Sequence, residues 1–193
     1  MVRAVFLDRD GVINENRNDH VKDWSEFRFL PGAAKAVARL SQAGLLVFVI
    51  TNQAIVNRGL VSHRVIDTIN QQMAREIEQL GGQIHSIAYC PHRPEEGCSC
   101  RKPQPGLLLE IANQYDLDLR EAVLIGDALT DIEAGLAVGC ESILVLTGRG
   151  PDQLNLAAKS GKRGFTVARD LSTAVDLLLG QQNPAYEVAK AFS

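Results

Sequence analysis

Short apolar blocks recur along the chain. Val2 to Leu7, Leu45 to Ile50, Ala122 to Ile125 and Ile143 to Leu146 are largely apolar runs, with a weaker one at Ile84 to Tyr89. Each has the length of a buried strand. Between them the apolar residues change period. Pro31 to Ala43 predicts a helix with proline in its first turn, Val37 and Leu40 on its inner face and Gly44 just past its end. A second helix should run from a Ser62 cap to Leu80. There Val65, Ile66, Ile69, Met73, Ile77 and Leu80 recur every three or four residues, and Gly81-Gly82 stops the pattern. Further helices are predicted at Pro105 to Tyr115, Thr130 to Val138 and Leu171 to Leu179. Strands alternating with helices imply right-handed crossovers and a parallel sheet covered on both faces, a Rossmann-like three-layer α/β sandwich. Residues 1–180 read as one domain, and Gln181 to Ser193 as a tail with no assigned element.

Composition narrows the class. With 193 residues, 46% of them apolar, and 20 basic against 23 acidic side chains, the chain can bury a continuous core and carries a net charge of -3. A chain without a global basic field is not expected to bind nucleic acid or anionic membrane through charge alone. The longest wholly apolar run, Leu45 to Ile50, is far short of the roughly 20 residues that cross a bilayer. Asp8 interrupts the N-terminal region before a secretory signal could form. A cytoplasmic location is expected.

Three of the predicted strands end in polar residues: Asp8 and Asp10 after the first, Thr51-Asn52 after the second, Gly126-Asp127 after a third. In open parallel sheets the carboxyl edge is where ligands bind, so these segments should converge on one crevice. If the acids meet, like charges about 4 Å apart repel by about 4 kcal/mol at an effective dielectric near 20. A divalent cation is the economical remedy, and carboxyl and carbonyl oxygens with water and phosphate suit Mg²⁺. A calcium loop is excluded, since Val12 and Ile13 stand where an EF-hand needs an oxygen ligand and glycine. Alone, Asp8-Arg9-Asp10-Gly11 reads equally as a turn, Thr51 as a strand-end residue and Lys102 as a surface lysine. Asp131 either lines the site or caps the helix after Asp127.

Cys90, His92, Cys98 and Cys100 supply four soft ligands within eleven residues, enough to close a tetrahedral Zn²⁺ shell with no open position. Such a structural zinc would brace the loop at 90–102 that delivers Arg101 and Lys102. Cys140 stands apart, as a small core residue. His20, His63 and His85 show no ligand spacing. Arg17, Arg58 and Arg101 could bind a second anionic group, although exposed arginines such as Arg17 and Arg58 are more often solvated.

Asp8-Arg9-Asp10-Gly11-Val12, Thr51-Asn52-Gln53, Arg101-Lys102-Pro103 and Gly126-Asp127 through Asp131 together resemble the haloacid dehalogenase (HAD) superfamily of phosphohydrolases. The resemblance implies that Asp8 attacks phosphorus, Asp10 serves as general acid and base, and Thr51 and Lys102 bind the transferring phosphoryl group. It implies Mg²⁺ held by Asp8, the Asp10 carbonyl and Asp127, with Asn52, Gln53 and Arg101 as substrate contacts. The zinc loop resembles that of the D-glycero-D-manno-heptose-1,7-bisphosphate 7-phosphatases and the histidinol-phosphate phosphatases. The implied substrate is a small phosphorylated metabolite: the heptose bisphosphate, losing its 7-phosphate, or alternatively histidinol phosphate or a similar ester. The chain departs from the heptose pattern at Asn16 to His20, at Ala54-Ile55 and at Ala128. No large cap domain is expected, because the stretch from Glu15 to Leu30 is too short for one. A phosphorylatable receiver domain is a rival, disfavoured because it has no acid two residues past its phosphoacceptor. A nucleic-acid knuckle is disfavoured because no aromatic platform accompanies the zinc loop.

Overall fold

The computed structural model describes residues 2–180. Among these residues, β1 (Ala4–Leu7), β2 (Leu46–Asn52), β3 (Ser86–Cys90), β4 (Ala122–Gly126), β5 (Glu141–Val145) and β6 (Thr166–Ala168) form one parallel sheet in the order β3-β2-β1-β4-β5-β6. The helices are α1 (Ala33–Gln42), α2 (His63–Gln79), α3 (Gly106–Tyr115), α4 (Leu129–Leu136), α5 (Gly150–Ser160) and α6 (Leu171–Leu178). The expected tail at 181–193 lies outside the described residues.

Strand alternation sorts the apolar side chains into two layers. Val5, Leu7, Val47, Val49, Val123 and Ile125 point to one face, where they meet Val37 and Leu40 of α1, Ile69, Met73 and Ile77 of α2, and Leu171 and Val175 of α6. Ala4, Phe6, Phe48, Ile50 and Leu124 point to the other, against Leu107, Leu108 and Ile111 of α3 and Ala134 of α4. Leu144 continues that face toward Leu129, Ile132 and Ala157. Strands covered on both sides need apolar residues at every position, which is why β1, β2 and β4 read as unbroken runs rather than alternating ones. Cys140 is buried in the second layer, as a small core residue should be.

Several expected boundaries move. Ser62 occupies the N-cap position of α2 but makes no side-chain capping bond. The first helix begins at Ala33 rather than Pro31, after a left-handed Gly32. The sequence pattern missed α5 and β6: α5 is poor in apolar residues, with only Gly150 and Ala157 buried, and β6 spans three residues, too few to show a period. Between β1 and α1 the chain makes a turn, isolated bridges of Asn14 to Asp10 and Phe29, and a 3-10 turn at Trp24–Glu26, with no inserted domain.

The strand order decides where a ligand can go. From β1 the chain crosses to β2 and β3 on one side, then returns to β4, β5 and β6 on the other. The crossovers therefore diverge between β1 and β4, opening a crevice at their carboxyl ends.

Candidate active site

Asp8 follows β1 and Asp127 follows β4, so the two neighbouring strands flanking the crevice each place a carboxylate there. Both are buried, at 4% and 0% exposure, and Asp131 from the first turn of α4 joins them at 1%. One carboxylate oxygen from each lies within 4.8 Å of the others. Glycines make the approach possible. Gly11 has φ +88°, and a Cβ on it would strike the Asp127 carboxylate; a Cβ on Gly126 would strike that of Asp131.

Two cations answer this charge. Lys102 Nζ donates to Asp8 Oδ1 at 2.9 Å, to Asp131 Oδ1 at 2.7 Å and to the Ile50 carbonyl at 2.7 Å. Burial alone would lower the Lys102 ammonium, but Asp131 and Asp8 outweigh it and raise its pKa. Arg149, in the loop after β5, grips Asp127 through its backbone N–H to Oδ2 (2.8 Å) and its guanidinium to Oδ1 (2.9 Å). Even so the cluster stays overcharged: burial, with help from Asp131, pushes Asp8 up to about 6 against the pull of Lys102. Burial and the Asp8 charge likewise raise Asp127 against Arg149. Buried hard oxygen donors whose repulsion outlasts their protein partners fit a small divalent cation such as Mg²⁺. Both Asp131 oxygens are already engaged, Oδ1 by Lys102 and Oδ2 by the Ala128 N–H at the start of α4. The residue thus lines the site and caps the helix at once. Asp127 is engaged in the same way, both of its oxygens meeting Arg149, whereas Lys102 meets Asp8 through Oδ1.

Asp10 is arranged differently. Its carboxylate turns away from the acid cluster, and Oδ2 accepts from Gln53 Nε2 at 2.7 Å while Oδ1 accepts from Asn14 Nδ2 at 2.9 Å. Arg9 donates to both oxygens at 3.0 and 3.2 Å. Burial would raise this carboxyl, but the Arg9 charge and these bonds lower it below the usual value. Gln53, expected at the substrate, is buried at 3% and spends its amide on Asp10 and on Thr51 Oγ1 (2.9 Å).

Asn52 closes the gap between β2 and the zinc loop. Its amide donates to the Lys102 carbonyl and accepts from the Lys102 N–H, both at 3.1 Å, so β2 carries the lysine in register with Asp8. Just before Lys102 the four soft ligands gather. Cys90, Cys98 and Cys100 are free thiols, with Sγ separations of 3.5, 3.3 and 3.4 Å, and His92 Nδ1 lies 3.5 Å from Cys90 and 3.3 Å from Cys100. Ligand bonds of about 2.0–2.3 Å give tetrahedral edges of about 3.4–3.8 Å, so the quartet fits Zn²⁺. Arg101 is tied to this loop through the His92 carbonyl at 3.1 Å.

Above the acids opens a cleft of about 370 Å³. Asp8, Asp10, Thr51, Asn52, Arg101, Lys102 and Asp131 line it, and Arg17, His20 and Arg58 form its rim together with Arg149. Arg17 and Arg58, for which solvation is the commoner expectation, line the cleft. Arg17 is paired with Asp19, and Arg58 meets His20 Nε2 at 3.3 Å. Sequence reasoning missed Arg149, Arg9, Asn14 and Asn70. Arg149 had a usable signal, since Thr147-Gly148-Arg149 follows β5 at the same carboxyl edge as the acids.

Known proteins resemble this chain in sequence and in fold. A family model described as HAD-hydrolase-like matches residues 99–174. The chain is similar to the D-glycero-beta-D-manno-heptose-1,7-bisphosphate 7-phosphatase of Bordetella bronchiseptica, at 40% identity over 178 residues, covering 92% of this chain and 98% of the relative. It is also similar to the Pseudomonas aeruginosa protein of the same name, at 39% identity over 175 residues, covering 91% and 97%. The crystal structure of D,D-heptose 1,7-bisphosphate phosphatase from B. bronchiseptica, complexed with magnesium and phosphate, matches with a TM-score of 0.88 and 40% identity, over 94% of this chain and 100% of that one.

Proposed function

This chain belongs to the HAD-like hydrolase family, and from that membership and the site geometry we propose that it is a Mg²⁺-dependent phosphatase removing the 7-phosphate of D-glycero-D-manno-heptose 1,7-bisphosphate. The observation that carries the reading is Asp8 at the floor of the cleft, next to Asp127 and held by a buried Lys102. Residues 1–180 act as one catalytic unit in this proposal.

Asp8 attacks phosphorus. A bond forms between its carboxylate oxygen and phosphorus, the bond to the sugar oxygen breaks, and that oxygen takes a proton from Asp10. A water then attacks the aspartyl-phosphate, passing its proton to Asp10 as the Asp8–phosphorus bond breaks and the carboxylate is restored. Lys102 and Thr51 bind the phosphoryl oxygens, where positioned charge carries most of the catalysis. Asp8, the Asp10 carbonyl and Asp127 would hold Mg²⁺, which supplies charge neutralisation between nucleophile and phosphate. Cys90, His92, Cys98 and Cys100 would hold Zn²⁺, which would brace the Arg101-Lys102 segment.

The cationic rim supports a substrate with a second anionic group. Arg17, Arg58 and Arg101 surround a cleft wide enough for a small sugar. A cytoplasmic location is part of this proposal. None of the described helices is long and apolar enough to cross a membrane. The test is phosphate release from sugar mono- and bisphosphates and histidinol phosphate with Mg²⁺, beside Asp8→Asn. Turnover is expected to be best on the heptose bisphosphate and absent in the variant. Preference for histidinol phosphate would overturn the substrate, and activity surviving in Asp8→Asn would overturn the mechanism.

A further inference from the structure

The largest fully buried side chain in the described structure is a charged one. Arg9 is 0% exposed, although it stands between the two acids of the first motif. Instead it lies behind Asp10, with one terminal nitrogen shared between both Asp10 oxygens and the other donating to Asn70 Oδ1 at 3.0 Å. Asn70 is itself 5% exposed, in the middle of α2, on the helix face that packs into the core through Ile69, Met73 and Ile77. Arg9 Nε has no hydrogen-bond partner among the described residues.

A buried guanidinium with an unsatisfied nitrogen is costly, and an aliphatic side chain would fill the same space at less expense. What the arrangement provides is direction. Arg9 is a rigid planar fork, so fixing one nitrogen on Asn70 fixes where the other points. Asp10 then receives donors from three sides, Arg9 behind it, Asn14 on one oxygen and Gln53 on the other, and its side chain keeps 23% of its surface toward the cleft. The loop backbone is drawn around the same residue, since the Arg9 carbonyl accepts from the N–H groups of Ile13 and Asn14 at 2.8 and 3.1 Å.

We infer that Arg9 and Asn70 are positioning residues for Asp10: α2 aims the Asp10 carboxylate at the leaving-group oxygen through an Asn70–Arg9–Asp10 relay. The inference rests on the phosphatase reading above and adds to it residues that touch neither substrate nor metal. Its consequence is selective by leaving group. An alkyl ester needs its departing oxygen protonated, whereas p-nitrophenolate departs without help, so a misaimed Asp10 should penalise the first and spare the second.

The experiment compares kcat/KM for p-nitrophenyl phosphate with that for whichever alkyl phosphate of the panel the parent enzyme turns over best. This ratio reports the first chemical step and does not depend on the fraction of folded enzyme. Asn70→Leu removes the acceptor while keeping the volume, Asn70→Asp restores an acceptor, and Asn70→Ala serves as the break if Leu prevents folding. The expected result is that breaking the relay lowers alkyl turnover by about tenfold more than aryl turnover, with Asn70→Asp close to the parent. Parallel losses on both esters, no loss on either, or an alkyl-selective loss that Asn70→Asp fails to restore would overturn the inference. A parent inactive on every ester would sink the phosphatase reading and this inference together.

Discussion

Single side chains at this site are defined by what neutralises them. Lys102 is 2% exposed and bridges Asp8 and Asp131, so Lys102→Met leaves two buried carboxylates without their cation. Breaking a buried pair in this way costs about 3–5 kcal/mol. The urea midpoint of Lys102→Met should fall accordingly, and phosphate release with it. Asp8 makes a pH-dependent prediction. Its pKa is raised by burial from 3.8 to about 6, so the folded protein holds this proton more tightly than the unfolded chain. The stability it contributes is complete below 3.8 and is lost as pH rises through about 6. Mg²⁺ needs the ionised form and replaces the missing proton above that range. Melting curves with and without Mg²⁺ should therefore show a larger metal-induced rise at about pH 7.5 than at about pH 5, and calorimetry near pH 6 should register proton release on binding.

Elements are legible in the sequence pattern where enough apolar residues recur to show a period. The second helix was readable from Ser62 to Leu80 and is observed over His63–Gln79, because six apolar positions at helical spacing leave one solution. By contrast α5 and β6 draw their stability from the elements around them. The zinc loop contributes through its quartet, since its only buried ligand is Cys90 and the rest of the segment has little core. Cys98→Ser is predicted to lose zinc by metal analysis, to melt at lower temperature and to lower kcat by about tenfold or more, because the segment bearing Arg101 and Lys102 is no longer braced. Retention of full activity in the zinc-depleted variant would show that Asn52, the Ile50 carbonyl and the two carboxylates hold Lys102 in place without the metal.

Across the whole molecule, the site exists because the sheet reverses direction of growth at β1. That reversal makes β1 and β4 neighbours and brings Asp8 beside Asp127, with 118 intervening residues of chain folded on either side. The close approach depends on Gly11 passing over the Asp127 carboxylate. Gly11→Ala combines a left-handed backbone position with a clash against that carboxylate, a strain of about 1–3 kcal/mol. Titration calorimetry should show Mg²⁺ affinity weakened by about tenfold or more. Unchanged affinity would mean that Asp127 is not a ligand.

The amino-acid pattern alone determined the alternation of strands and helices, the parallel α/β class, the acids and polar residues at strand ends, and the quartet of soft ligands. All of these are local properties, set by periodicity or by spacing within a few residues. Only the tertiary structure decided which charges answer one another. It paired Lys102 with both Asp8 and Asp131, set Arg149 on Asp127, turned Gln53 away from the cleft onto Asp10, and buried Arg9 between Asp10 and a helix 61 residues on. The energy of a desolvated ion pair depends on distance and burial in three dimensions, and neither is encoded in the residues adjacent along the chain.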